Sequence, residues 1–131
     1  MTRTLLPRTR AALLLLLLAA VPTSVVQAAE KPDVRLVNKT IHPGQTEKVE
    51  LHDKSISRID VVCRREGNNT ETQLNVGLED SPPFGPQQVD QNVNHVIRWQ
   101  PGNLNPRGRE LLVSTINGPV FVESVHVVYD R

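Results

Sequence analysis

Residues 110–129 read ELLVSTINGPVFVESVHVVY, two apolar runs, Glu110 to Ile116 and Val120 to Tyr129, on either side of Asn117-Gly118. Both runs are rich in β-branched residues and alternate with a period of two, the signature of extended strands rather than of a helix. Asn-Gly is the pair best suited to positive backbone angles in a tight turn, so this stretch predicts a hairpin in which Val113 faces Val122 and Ser114 faces Phe121. One face then collects Leu111, Val113, Val120, Val122 and Val128, and the other Leu112, Ile116, Phe121, Val125, Val127 and Tyr129. Strands that are apolar on both faces belong near the middle of a sheet, while Pro119, which lacks an N–H, loosens the turn.

The same alternation recurs upstream. Asp33 to Asn38 begins a first strand, His42-Pro43-Gly44-Gln45 carries a Pro-Gly turn, and Glu47 to Leu51 puts Val49 and Leu51 on one face. In Ser57 to Arg65, Ile59, Val61 and Cys63 point one way and Arg58, Asp60 and Arg64 the other. Gly67-Asn68-Asn69 turns the chain into Glu71 to Glu79, with Leu74, Val76 and Leu78 alternating, so these two runs are expected to form a second hairpin. Asp80 to Asp90 holds three prolines and a glycine, which exclude helix and predict a long loop. Asn94 to Gln100 is extended again around Val96, Ile97 and Trp99, and Pro101 to Gly108 makes another loop. Seven to eight short strands with no amphipathic helix between them predict an antiparallel β-sandwich, a jelly roll or other Greek-key path, with a small closed barrel as the alternative.

The first 28 residues have a different character. Arg3, Arg8 and Arg10 precede an apolar run from Ala11 to Val21, and Val26-Gln27-Ala28 presents small residues for cleavage after Ala28. This is the pattern of a secretory signal peptide, too short in its apolar part to span a bilayer. The expected product is a secreted or periplasmic domain, residues 29–131, with no membrane insertion once the signal is removed. The whole chain carries 15 Lys and Arg against 14 Asp and Glu, and loss of the three signal arginines leaves 12 against 14. A domain so near neutrality, without a basic stripe, is not expected to bind nucleic acid. Cys63, the one cysteine, cannot form an intramolecular disulfide and is expected to act as a small buried hydrophobe.

Local chemistry is sparse. His42, His52, His95 and His126 are scattered, and the chain has no HExxH, paired cysteines, GxSxG elbow or phosphate-cradling glycine loop. The expectation is therefore a non-enzymatic protein without cofactor or metal. Glu79, Asp80 and Asp90 flank the proline-rich loop but lack the dense spacing of a calcium loop, and are expected to be solvated carboxylates. Trp99, with Arg98, Arg107 and Arg109 near it in sequence, could stack on a sugar ring or clasp an anion. Set against this, a single tryptophan on a central strand more often fills the core. Phe84, between Pro83 and Gly85, is the aromatic best placed to anchor a partner. Asn38-Lys39-Thr40 and Asn68-Asn69-Thr70 match the N-glycosylation pattern, which acts only in a eukaryotic secretory pathway.

Ile56-Ser57-Arg58-Ile59-Asp60-Val61, the later Trp99 and the terminal Val125-His126-Val127-Val128-Tyr129 together resemble small exported bacterial β-sandwich proteins, including periplasmic families of unknown function. The resemblance implies the fold and the export, and carries no functional residue with it. The expected function is the binding of a protein or envelope macromolecule through the loops Asp80 to Asp90 and Pro101 to Gly108, with a small-ligand module for glycan or calcium as the alternative. Edge strands can pair two copies, but no dimer is predicted from the sequence.

Overall fold

The structure is a computed structural model that describes residues 31–101 and 106–130. Residues 1–28, expected from the sequence to be a signal peptide, and residues 102–105 of the Pro101 to Gly108 loop lie outside the described residues. Eight strands form: β1 (Asp33–Ile41), β2 (Thr46–Glu50), β3 (Ile56–Arg65), β4 (Gln73–Leu78), β5 (Gln87–Gln88), β6 (His95–Trp99), β7 (Glu110–Ile116) and β8 (Val120–Tyr129). They make two antiparallel sheets of four, sheet A in the order β1-β8-β3-β6 and sheet B in the order β2-β7-β4-β5. This is a β-sandwich with the alternating sheet-to-sheet path of a jelly roll. No described segment is helical.

The core is what the period-two runs supply. Ile59, Val61 and Cys63 from β3 meet Leu74, Val76 and Leu78 from β4 between the sheets, together with Leu111 and Val113 of β7 and Val120, Val122, Val125 and Val127 of β8. β7 and β8 are both interior strands of their sheets, the placement expected for them from the sequence.

The two expected hairpins do not form. β3 and β4 lie in opposite sheets, as do β7 and β8, and the consecutive strands that pair are β4 and β5. Asn117 does take a positive φ of 68°, but the chain uses it to cross from sheet B to sheet A. The two crossings are stitched to each other instead. Glu66 N donates to Pro119 O at 3.1 Å, Asn117 Nδ2 donates to Glu71 O at 3.2 Å, and Gly118 lies so close to Thr72 that a Cβ there would meet its Oγ1. Each run needs its apolar face against the facing sheet, and an arch satisfies that need for both where a flat hairpin would not.

The two faces assigned to β8 also change. Against β3, Ser124 pairs with Val62 and Val122 with Cys63, so Glu123 is an extra residue, a β-bulge. The bulge reverses the alternation, which puts Val125 and Val127 inward with Val120 and Val122 and leaves Ser124 and His126 on the outer face of sheet A. The Pro-Gly turn forms as expected, with Gln45 N donating to His42 O at 3.0 Å and Gly44 at φ 90°. It too joins opposite sheets.

Candidate functional site

One side of the sandwich, between β4 and β6, is closed by the proline-rich segment, expected from the sequence to be loop throughout, in which Gln87–Gln88 forms the two-residue strand β5 on β4. Phe84 N donates to Val76 O at 2.8 Å and Val89 N to Thr72 O at 2.9 Å, so the segment runs beside β4, and Val89 plugs the core with no exposed surface. Two bonds tie the same segment to β6. Trp99 Nε1 donates to Gly85 O at 2.8 Å, and Gln87 Nε2 donates to Arg98 O at 2.6 Å. Gly77 permits the close approach, because a Cβ there would stand 2.9 Å from Pro83 Cα.

At one end of this closure the loops leave a groove of about 530 Å³, lined by Pro82, Pro83, Phe84, Trp99, Pro101 and Pro106, with Ser81 and Gln100 as its polar members. The Asp80 to Asp90 and Pro101 to Gly108 loops, which flank β6 in the chain, thus meet. Prolines dominate the lining because each holds its backbone at a fixed φ and has no donor to satisfy. Trp99 is 4% exposed and belongs to the core, presenting little of its ring, whereas Phe84 is half-buried with one side packed on the core.

The arginines named with Trp99 go elsewhere. Arg98, next in the strand, points to the opposite face, where its Nε and Nη2 donate to the two Asp60 oxygens at 2.7 and 3.1 Å. That carboxylate raises the Arg98 pKa further, chiefly through the hydrogen bond. Arg107 donates through Nη2 to Asp53 O at 2.7 Å and through Nε to Asp53 Oδ1 at 3.3 Å. Arg109 Nε stands 3.9 Å from the other Asp53 oxygen, with its side chain 81% exposed. The candidate set therefore divides into three places: Trp99 and Phe84 on the groove, Arg107 and Arg109 around Asp53 just beyond Pro106, and Arg98 on the outer face of sheet A.

Glu79 is a structural carboxylate. It accepts from Arg109 N at 3.0 Å and Glu110 N at 3.2 Å, and these bonds, the first above all, lower its pKa. Gly108 makes room for it, since a Cβ there would lie 2.7 Å from Glu79 Oε1. Among the described residues no three His, Cys, Asp or Glu side chains gather as a metal would require. Cys63 is fully buried, and desolvation pushes its thiol up to about 12. On the outer face of sheet A, Ser124 Oγ lies 3.0 Å from His126 Nε2, but Ser124 is 4% exposed, which withholds its oxygen from a substrate carbonyl.

A second hollow, of about 140 Å³, lies on the outer face of sheet B at residues that no sequence motif marks. Cross-strand register sets Thr46, Ser114 and Asn75 side by side there, and Asn75 Oδ1 is enclosed without a hydrogen-bond partner among the described residues.

No family model and no curated protein matches the chain. Among solved structures it is similar to a family two carbohydrate esterase from Cellvibrio japonicus, at 15% identity and a TM-score of 0.43, over 78% of this chain and 32% of that one. The chain spans about a third of the length of that protein.

Proposed function

We propose that the chain is an exported, non-enzymatic binding module that holds a protein or envelope macromolecule on the groove between its two proline-bearing loops. The observation that carries this is the convergence of Phe84, Trp99 and four prolines on one concave surface with no charged side chain among the described residues of its lining. An apolar centre beside a charged margin of Asp53, Arg107 and Arg109 is the usual anatomy of an interface. Walls held by backbone bonds and prolines lose little conformational freedom on binding, which favours recognition of a matching surface. The buried ring of Trp99 argues against stacking of a sugar on it.

The test is affinity capture from envelope extract with the wild type beside the Phe84→Ala, Arg107→Ala, Arg109→Ala triple variant. A species held by the wild type and weakened about tenfold or more by the triple change is the expected result. Equal capture by both would remove the groove as the contact face. A second reading, a small hydroxyl-rich ligand such as a glycan, is favoured by the unpartnered Asn75 acceptor alone. A dose-dependent rise of the melting point with a sugar, lost in Asn75→Ala, would select it over the first.

A further inference from the structure

The sandwich has four sheet edges, and three of them are blunted. β5 is two residues long, and β6 is covered by the proline-rich segment through Trp99 and Gln87. β2 is short, carries Glu47, Lys48 and Glu50, and has its Glu50 O taken by Arg35 Nε at 3.0 Å. The fourth edge is β1, nine residues long. Beside that edge, on the outer face, stand Val34 at 45% and Leu36 at 73% exposure, the latter the most exposed large hydrophobic among the described residues. Leu36 opens a cross-strand row, Leu36, Ser124, Val62 and Val96, that crosses sheet A to a second exposed valine. A long edge with unshielded apolar side chains is a template for another strand.

The charges on β1 say which strand. Asp33 and Arg35 lie on one face, 3.0 Å apart, on either side of Val34. Antiparallel pairing of two β1 strands about a twofold axis at Val34 would set each Asp33 opposite the partner's Arg35, Val34 opposite the partner's Val34, and Leu36 opposite the partner's Pro32. An axis at Asp33 or at Arg35 would instead bring like charges together, which disfavours those registers. The window is bounded by Pro32 before it and by the register irregularity between Leu36 and Lys39 after it. We infer that the β1 edge is a self-association surface, and that a second copy of this chain pairs with it about Val34 to extend sheet A into an eight-stranded sheet. This is independent of the groove and of what it binds. Five residue pairs bury less than the roughly 1,200 Å² of a standard stable interface, so the dimer is weak and concentration-dependent.

The experiment is sedimentation velocity on the chain expressed from Met1 in an exporting host, at concentrations from about 1 to about 300 μM, the range a small interface calls for. The wild type is expected to pass from monomer to dimer. Arg35→Asp and Asp33→Arg each create two like-charge pairs across the axis and are expected to weaken association about 30-fold. An equimolar mixture of these two variants restores both opposite-charge pairs and is expected to dimerise where each alone does not, as is the Asp33→Arg, Arg35→Asp double swap. A wild type that stays monomeric throughout, single variants that dimerise unchanged, or a mixture that remains monomeric would each overturn the inference. Should a charge variant fail to fold by circular dichroism, Val34→Asp, at a half-exposed site, decides: a dimer undiminished by it is fatal to the proposed pairing.

Discussion

Replacing Trp99 by Phe separates the two jobs the structure gives this residue, filling the core and pinning the proline-rich segment to β6. The substitution keeps a six-membered ring in the core but deletes the Nε1 donor that reaches Gly85 O at 2.8 Å. Losing that hydrogen bond costs about 1 kcal/mol, and somewhat more where the carbonyl left behind is shielded from water. Truncating a buried indole to alanine costs about 3–5 kcal/mol, and Phe retains more than half of the ring, so the packing loss is about 1–2 kcal/mol. The total, about 2–3 kcal/mol, corresponds to a fall in melting temperature of roughly 10–20 °C for a domain of this size. Urea titration measures the total, and amide hydrogen exchange measures its distribution. If Trp99 pins the segment, the Phe84 and Val89 amides, which donate to Val76 O and Thr72 O, lose more protection than the β3 and β8 amides do. A loss below about 1 kcal/mol, or equal loss of protection everywhere, would refute the pinning argument and leave Trp99 as core filler alone.

Three further outcomes follow from the same geometry. Gly77→Ala sets a methyl 2.9 Å from Pro83 Cα, and the backbone there must give way; a destabilisation of about 1–3 kcal/mol is expected by urea titration, together with loss of groove binding, and a neutral result would mean the loop is not seated as described. The Glu79 pKa is lowered in the folded state, so its contribution is fully present above the ordinary glutamate value and is lost as pH falls through the folded one. Melting followed across that acid window should slope less in Glu79→Gln than in the wild type, and parallel curves would show that the backbone bonds to Glu79 carry no stability. Cys63, pushed up to about 12, should resist a thiol reagent in the native protein at about pH 8 and react on addition of urea; prompt native labelling would contradict its burial.

Part of the candidate site could be read without tertiary information. Neighbouring residues on a strand point to opposite faces, so a buried Trp99 already sends Arg98 outward, away from any site Trp99 could line. Arg107 and Asp53 could not be joined this way, because their contact depends on how the β2–β3 and β6–β7 connections meet, as Ile56 N to Pro106 O at 2.8 Å and Leu51 N to Arg109 O at 2.8 Å show. Nor could Glu79 be distinguished from a solvated carboxylate, since its partners are backbone amides thirty and thirty-one residues away.

Local pattern alone locates seven of the eight strands, missing only β5, and on β3 and β4 it also says which side chains go inward: Ile59, Val61, Cys63, Leu74, Val76 and Leu78 are all buried as their alternation requires. Burial periodicity is a local property, written residue by residue along each strand. Pairing is not local. A turn such as Asn117-Gly118 can fold a strand back beside its neighbour or carry it over to the facing sheet, and a single extra residue, Glu123, moves Val125 and Val127 from one face to the other. Tertiary packing selects between those alternatives, because the choice turns on how apolar faces far apart in sequence cover one another, and that same choice brings Phe84 and the four prolines into one groove.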